Sequence, residues 1–452
     1  MVQNYYKLRK GLDINIKGKA IRQKIQMEPA KEIALVPDDF YGMTPKVVVK
    51  EGDKVKAGDA LFVNKKFPEV KFASPVSGEI TEVLRGDRRK LLCVKVLPDA
   101  VQQYRDFGKK DPQKLDSQQV VDTLLDAGLF GYINQLPYAV SATCDTMPKS
   151  IFISAFRDMP LAADFNFELE DNLDAFNAGV VALGRIAHTY VGINREQSGK
   201  FDFKLGDNAT LNVFDGPCPA GNVGVQVNHV DPVNKGDVVW TVDPTAVIFI
   251  GRLFLEGRVR LTRTVAIAGS EIEEPCYAEV PVGYPLKQLL KNKVKQPEKT
   301  RLIMGNPLTG RKCSMDDYLG AHTSEITAIP EGDDRDEMLG WIMPRMKDFS
   351  ANRSYFTWLL GKSKEYVLDA RIKGGERHMI MSGEYDKVMP MDIYPEYLIK
   401  AIITGNIDKM EQLGIYEVAP EDFALAEFVD SSKLELQRIV REGLDMLRKE
   451  NA

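Results

Sequence analysis

The sequence has few of the residues that bind metals or form disulfides, and those it has are scattered. Its five cysteines are odd in number and form no CxxC pair; they are Cys93, Cys144, Cys218, Cys276 and Cys313. The four histidines show no HExxH spacing either. Disulfide frameworks and iron–sulfur sites need paired or clustered thiols. We therefore expect a reducing compartment such as the cytoplasm, no metal site and no iron–sulfur cluster.

Long apolar runs are also missing. No segment approaches the ~20 apolar residues that a membrane helix requires. The most apolar window, Val238–Ile250, contains Asp243 and Pro244, and we interpret it as a buried strand and turn. The charges of residues 1–10 are followed by no apolar stretch, so we expect no signal peptide. Any action at a membrane would then come from outside the bilayer.

Charge is distributed unevenly along the chain. The net charge is −5, yet residues 1–110 contain about 23 Lys and Arg against about 14 Asp and Glu. A basic N-terminal region (the basic front end) favours binding to an anionic lipid or to an acidic partner protein. Nucleic acid is the weakest alternative, because no aromatic residues alternate with the basic ones.

The 452 residues suit about three domains at ~150 residues each. We predict a multidomain α+β protein with a barrel-sandwich β domain, a Rossmann-like α/β domain, a β-grasp module and a helical C-terminal domain. Their predicted bounds are 1–105, 106–252, 253–332 and 333–452.

The first of these rests on Gly52–Ile80, which reads GDKVKAGDALFVNKKFPEVKFASPVSGEI. Short β-branched strands joined by glycine turns resemble the domains that carry biotin or lipoyl groups. In such carriers one lysine lies at the hairpin tip. Here Lys65 and Lys66 come early and Pro68 occupies the turn, so a modified lysine is an unfavoured alternative.

Apolar periodicity predicts the main elements of the rest. The predicted α/β elements are a helix over Ser117–Leu125 with Ser117 as N-cap, strands at Ile151–Ser154, Leu211–Phe214 and Val247–Ile250, and a helix at Leu173–Ile186. For the β-grasp module we predict short strands at Arg258–Ala268 and Ile326–Ile329 and a helical turn at Pro285–Leu290. The predicted C-terminal helices are Met338–Met346, Tyr355–Leu360, Tyr394–Thr404 and Leu434–Leu447.

The best candidate site is the glycine-rich segment Phe214–Gly224. Its backbone N–H groups could meet an anion or a flat ring. It matches neither GxGxxG nor a P-loop, and a tight structural crossover is an equal alternative. Cys218 would be a reactive thiol only with a nearby base, which the sequence does not supply.

Four segments in one order together resemble the A subunit of the sodium-translocating NADH:quinone oxidoreductases. They are Gly11–Ile14, Gly52–Ile80, Met159–Asp164 and Gly216–Gly224, the last followed by Asp231-Pro232-Val233. The resemblance extends over the whole chain and includes a ligand-binding β-grasp module near Leu261–Leu290. The wider relatives it implies are the flavin-bearing subunit of complex I and the C subunit of the Rnf complex.

The resemblance implies a peripheral subunit on the cytoplasmic face of the bacterial inner membrane. Its partners would be the other subunits, chiefly a membrane-embedded one. We expect it to bind no cofactor, with NADH, flavins, iron–sulfur and quinone used by other subunits. Bulky residues occupy the flavin-loop position, Ala127–Asn134, and no cysteine follows Arg335.

A quinone site on this subunit is possible in the family. We place it near Pro217, Gly221, Gly224 and His229, because a quinone requires an apolar slot with a few polar groups at its carbonyls. Two alternatives stay open. One is a stand-alone NADH- or flavin-dependent reductase, and the other is a pure assembly subunit with no ligand.

Overall fold

The computed structural model describes residues 2–333, 345–351, 353, 355–360 and 364–451. Its N-terminal strands are β1 (Val2–Lys7), β2 (Lys24–Ile25), β3 (Ile33–Leu35), β4 (Pro45–Val47), β5 (Lys54–Val55), β6 (Ala60–Asn64), β7 (Lys71–Ala73), β8 (Gly78–Arg85) and β9 (Leu91–Pro98). Strands β3 to β9 form two small sheets, ordered β3-β9-β8-β5 and β4-β6-β7. Aromatic rings occupy their shared core, where Phe62 and Phe72 stack with centroids 4.9 Å apart.

The first two strands lie outside this β unit, although we expected residues 1–105 to form one domain. Strand β1 pairs in parallel with Ala209–Asp215, and β2 pairs with Cys276–Pro281. The ring of Tyr6 in β1 stacks on Phe214 at 4.9 Å, an apolar contact that favours this distant pairing. The N-terminal segment, residues 2–25, therefore contributes strands to two other sheets before the chain enters its β unit.

The α/β unit surrounds one mixed sheet. Its elements are α1 (Ser117–Asp126), β10 (Ile133–Leu136), β11 (Val140–Ser141), β12 (Ser150–Ser154), α2 (Phe165–Leu169), α3 (Leu173–Ile186), β13 (His188–Asn194), β14 (Ala209–Asp215), α4 (Val223–Val230), β15 (Val239–Val242) and α5 (Pro244–Glu256). The sheet order is β1-β14-β13-β12-β15-β10-β11. The first five strands are parallel, whereas β10 runs antiparallel to β15. The predicted strands at Ile151–Ser154 and Leu211–Phe214 and the helix at Leu173–Ile186 are confirmed.

The predicted strand Val247–Ile250 is wrong, because these residues lie in the middle of α5. The helix begins with Asp243 as N-cap, whose side chain accepts a bond from the Thr245 N–H, and Pro244 follows in the first turn. It ends at Gly257 in a left-handed conformation. A helix buried on all sides has no periodic stripe, so its apolar run resembles a buried strand.

The N-cap of α1 was also predicted one residue late. Asp116, not Ser117, precedes the helix, and its carboxylate accepts a bond of 2.8 Å from the Gln119 N–H. The Gln119 side chain accepts in return from the Asp116 N–H at 3.0 Å. This reciprocal pair is a capping box.

The β-grasp module contains β16 (Thr262–Ala268), β17 (Cys276–Pro281), α6 (Leu286–Leu289), β18 (Thr300–Met304), β19 (Arg311–Cys313) and β20 (Glu325–Pro330). The strand order is β19-β18-β20-β16-β17-β2. Both predicted strands and the helical turn are present, although the first strand begins at Thr262 rather than Arg258.

In the C-terminal part, the described α-helices all lie from Tyr385 onward. They are α7 (Tyr385–Val388), α8 (Pro395–Ile403), α9 (Ile407–Gln412), α10 (Ala424–Val429) and α11 (Leu436–Glu450). The predicted helix Met338–Met346 lies almost wholly outside the described residues, and Phe356–Leu360 form a 3₁₀ turn. In α11 one apolar face is buried, formed by Leu436, Ile439, Val440, Gly443, Leu444 and Leu447.

Two apolar clusters cover the two faces of the large sheet. One joins it through α1, α3 and α5 to the N-terminal β unit and the β-grasp module. The other joins α4 to the C-terminal helices. Within the described residues, no helix is both long enough and apolar enough to cross a membrane.

Candidate functional site

The glycine-rich segment connects β14 to α4, and it brings the four predicted quinone residues to one side of the sheet. Pro217 is half-buried in the loop, and Gly221 lies just before α4. Gly224 is in the first turn of α4 and His229 in its last. At 1.5 Å per residue, the last two are separated by about 7.5 Å along the helix.

Both glycines allow close approach of buried acids. A Cβ on Gly221 would lie 2.7 Å from Oδ1 of Asp158, and one on Gly224 would lie 2.3 Å from Oδ2 of Asp422. The Gly221 N–H donates to Oδ2 of Asp158 at 2.8 Å, while Oδ1 has no hydrogen-bond partner within the described structure. Burial raises the pKa of Asp158 to about 6. The loop therefore covers a carboxyl group that can hold a proton near neutral pH.

Asp422 connects the C-terminal helices to the start of α4. Its Oδ1 accepts from the Asn222 amide at 3.3 Å and its Oδ2 from the Ala419 N–H at 2.9 Å. Burial, and then the neighbouring Glu421, raises its pKa to about 7. The start of α4 is thus closed by a protein side chain.

Cys218 is a packed residue and not a reactive thiol. It is 1% exposed, and its Sγ lies 3.6 Å from the sulfur of Met159. Burial raises the pKa of the thiol, and Asp158 and Asp13 raise it further. Since the thiolate is the nucleophile, the structure disfavours reactivity here.

His229 is half-buried and has a fixed tautomer. Its Nδ1 lies 2.8 Å from the carbonyl oxygen of Val225, so Nδ1 must carry the proton and donate. In the neutral ring, Nε2 is then an acceptor. The Tyr6 ring meets the imidazole edge-on at 6.2 Å.

A second candidate region, which we did not predict, lies where the strand order of the sheet reverses. Strands β13 and β14 follow β12 on one side, while β15 lies on its other side. In open α/β sheets, ligands bind at such a switch point, outside the carboxyl ends of the strands. Arg157 and Asp158 follow β12 here, and Asp243 follows β15.

An ion-pair network occupies this switch point. Nη2 of Arg157 lies 3.2 Å from a carboxylate oxygen of Asp243 and donates to the Thr245 hydroxyl at 3.1 Å. That hydroxyl in turn donates to Glu168 at 2.8 Å. Burial alone would raise the pKa of Asp243, but Arg157 and then Arg263 outweigh it and lower that pKa.

The β-grasp module supplies the other half of the network. Arg263 in β16 is 2% exposed and reaches Asp243 at 3.7 Å. Glu325 in β20 accepts from the Ala163 N–H at 3.1 Å. Burial raises the pKa of both Glu325 and Glu168 against the opposing pull of Arg157. The space outside the strand ends is therefore filled by side chains from a neighbouring module.

Three aromatic or imidazole rings close the network on the side of the N-terminal β unit. The Phe40 and Tyr132 rings each lie 5.4 Å from the His322 ring. Burial lowers the pKa of His322 to about 4, so this imidazole is neutral at physiological pH. The Tyr132 hydroxyl, Arg263 Nε and His322 Nε2 lack hydrogen-bond partners among the described residues.

The predicted flavin-loop position is also covered by protein. A Cβ on Gly131 would lie 2.3 Å from the Phe72 ring, and one on Gly128 would lie 2.8 Å from the backbone nitrogen of Ala73. Phe130 is buried edge-on against Trp240 at 5.3 Å. Strand β7 thus lies where a phosphate would have to approach the loop backbone.

Comparison with known proteins gives agreement along almost the entire chain. Three domain profiles match it: the NqrA N-terminal barrel-sandwich hybrid domain over residues 6–99, the NqrA second alpha/beta domain over 115–259, and the NQRA C-terminal domain over 264–315. The chain is 34% identical over 447 residues to the A subunit of the Na(+)-translocating NADH-quinone reductase of Hahella chejuensis (strain KCTC 2396). It is 33% identical over 448 residues to that of Pasteurella multocida (strain Pm70). Each alignment covers 98% of this chain and 99% of the relative.

The chain belongs to the NqrA family, the A subunits of the Na(+)-translocating NADH-quinone reductases. The family resemblance deduced from the sequence is thereby confirmed, as are the barrel-sandwich and α/β domains. An alignment with the structure of an NAD+-reducing [NiFe]-hydrogenase covers 67% of this chain and 55% of the hydrogenase chain, at 10% identity and a TM-score of 0.34. So low a score carries no argument about function.

Proposed function

We propose that this chain is a peripheral subunit of a Na(+)-translocating NADH-quinone reductase, bound at the cytoplasmic face of a bacterial inner membrane. Its basic β-rich front end would dock on a membrane-embedded subunit. The family membership supports this proposal, because relatives similar over 99% of their length bear that name. The unequal charge of the first 110 residues suits a docking surface.

The chain would bind no flavin or iron–sulfur cluster of its own. The observation that carries this proposal is the filled switch point of the large α/β sheet. Arg157, Asp243 and Arg263 occupy the place where such a fold binds a nucleotide, and Phe72 covers the Gly131 backbone. Electrons would then travel from NADH to quinone through cofactors on other subunits.

Quinone binding would involve the segment that contains Pro217, Gly221, Gly224 and His229, with His229 as the group that meets the quinone, because Asp158 and Asp422 cover the two glycines. A quinol hydroxyl can donate to Nε2 of the ring, because Nδ1 already donates to the Val225 carbonyl oxygen. Tyr6 adds an aromatic surface next to the ring. Substitution of His229 by Gln should therefore raise the KM for quinone of the assembled complex about tenfold, with a smaller change in kcat.

His188 provides a matched control, because Asn208 and Thr210 already engage its two ring nitrogens at 3.0 and 2.9 Å. His188→Gln should leave the quinone KM unchanged. Labelling of the complex by a photoreactive quinone should map to peptides containing residues 217–229. Consistent labelling elsewhere, together with a normal KM for His229→Gln, would remove the quinone site and favour a pure assembly role.

Native mass spectrometry of the chain expressed alone separates the remaining alternatives. A mass equal to the bare polypeptide supports the proposed accessory role. A non-covalent excess of flavin size, with NADH oxidation, would favour a stand-alone reductase. A covalent excess on Lys65 or Lys66, which are both exposed at the β6–β7 hairpin, would favour a carrier.

A further inference from the structure

One short turn exposes four large apolar side chains together. In Phe356–Leu360, a 3₁₀ turn, the exposed fractions are 63% for Phe356, 46% for Trp358, 62% for Leu359 and 46% for Leu360. Globular proteins seldom expose apolar residues in such a group, and exposed patches of this kind mark interaction sites.

Buried contacts hold this turn in place. Thr357, the remaining residue of the turn, is fully buried, and its hydroxyl donates to the carbonyl oxygen of Asp348 at 2.7 Å. Tyr366 lies behind it, buried and bridged to Ile16 of the N-terminal segment. The four apolar side chains therefore project from a turn that is anchored to the protein on the other side.

The segment from residue 345 to residue 364 is basic. Residues 345–364 contain five basic residues and one acidic residue, Asp348. The basic residues are Arg345, Lys347, Arg353, Lys362 and Lys364. The Arg353 guanidinium lies 5.0 Å from the centroid of the Trp358 ring. The single acid is already paired, since Arg345 and Lys373 lie 3.0 and 3.1 Å from its carboxylate.

From this arrangement we infer that the turn Phe356–Leu360 inserts into the headgroup region of an anionic lipid bilayer. Trp and Phe prefer the membrane–water interface, while Lys and Arg beside them bind anionic headgroups. An apolar turn beside the exposed cations Lys347 and Arg353 matches both layers of that interface. The inference rests on the proposed place at a membrane, where a partner protein holds the chain close enough for one weak contact to matter.

The full chain should bind vesicles that contain phosphatidylglycerol, and the double substitution Trp358→Ser with Leu359→Ser should weaken this binding at least about fivefold. Val101→Ser is the matched control, because Val101 is 79% exposed but far from the turn in sequence; it should bind like the unaltered chain. In a Trp341→Phe background, brominated lipids should quench Trp358, whereas Trp240 is fully buried. Unchanged thermal unfolding of each variant establishes that it folds.

Equal binding to phosphatidylcholine vesicles, or equal binding by the double variant, would overturn the inference. A further outcome is that the unaltered chain binds no vesicles while the double variant fails to co-purify with the other subunits. That result would show that the turn contacts protein, and it would also overturn the inference. The wider proposal has a separate readout. If the unaltered chain purifies from cells without any other subunit, the proposed function fails whatever the vesicles show.

Discussion

The buried ion-pair network predicts a large stability loss when Arg263 is replaced by Met. Methionine is unbranched and flexible but shorter than arginine, so the change removes the charge and leaves the space of the guanidinium partly unfilled. The guanidinium bonds to the Ala321 carbonyl and, at 2.8 Å, to the Ser324 hydroxyl, and it faces Asp243. Without it, Arg157 is the remaining cation of the described network for Glu168, Glu325 and the partly exposed Asp243.

Removing one member of a buried pair costs about 3–5 kcal/mol, because the other charges stay buried without compensation. For a domain of this size, each 1 kcal/mol lowers Tm by about 2–4 °C. We therefore expect scanning calorimetry to show a Tm roughly 6–20 °C lower for Arg263→Met. Arg263→Lys, which retains the charge without the planar fork, should fall between the variant and the unaltered protein.

The loss should also depend on pH. Once Arg263 is gone, the already raised pKa values of Glu168 and Glu325 rise further, and the lowered pKa of Asp243 rises as well. The folded protein then binds the extra protons as the pH falls, so the deficit should be smaller at pH 5 than at pH 7.5. Arg438→Met is the control, since its pairs with Glu435 and Glu442 are solvent-exposed and each contributes about 0–1 kcal/mol. A deficit for Arg263→Met that matches this control, or one that is the same at both pH values, would refute the reasoning.

Three further changes test the packing, the helix start and the buried imidazole. Gly251→Ala would place a Cβ 1.6 Å from a carbonyl oxygen of the facing helix and should lower the free energy of unfolding by about 3 kcal/mol or more. Gly199→Ala is the control, because its Cβ would meet nothing within 4 Å, and urea unfolding should show little change. Asp116→Ala should lower the free energy of unfolding by about 1 kcal/mol through loss of the capping box, and Ser117→Ala should not; equal effects would contradict the assigned N-cap. For His322, the folded pKa of about 4 lies below the unfolded value near 6.5, so the unfolded chain binds a proton first and stability falls as the pH drops from about 6.5 to 4. His322→Gln should flatten that part of the pH–stability curve, and an unchanged slope would show that another group is responsible.

The sequence predicted those elements whose signals are local. The helix Leu173–Ile186 has a clear periodic face, and short strands of the β unit are joined by glycine turns. The helix Pro244–Glu256 was missed because it is buried on all sides and its caps, Asp243 and Gly257, are the only local indication. The pairing of β1 with β14 is set by distant contacts that no local pattern records.

The same limit applies to the candidate sites. The glycine-rich segment Phe214–Gly224 stands out in the sequence, whereas Arg157, Asp243 and Arg263 do not, because they belong to different modules and meet only in the fold. One signal was available: polar residues follow two buried parallel strands, as Arg157 follows Ser150–Ser154. The sequence could not predict that Arg263 and Glu325 of the β-grasp module would fill the space next to Arg157 and Asp243.

The course of the N-terminal segment has a consequence for how the protein is made. Strand β1 pairs with residues 211–215, and β2 with residues 277–278, which the ribosome adds more than two hundred residues later. At about 5–20 residues per second, residues 2–25 therefore wait some 10–50 seconds before their partner strands exist. During that time their strand edges are open to wrong pairing. We expect folding to finish only after the β-grasp strands have emerged. The residues synthesised first are then among the last to reach their native positions.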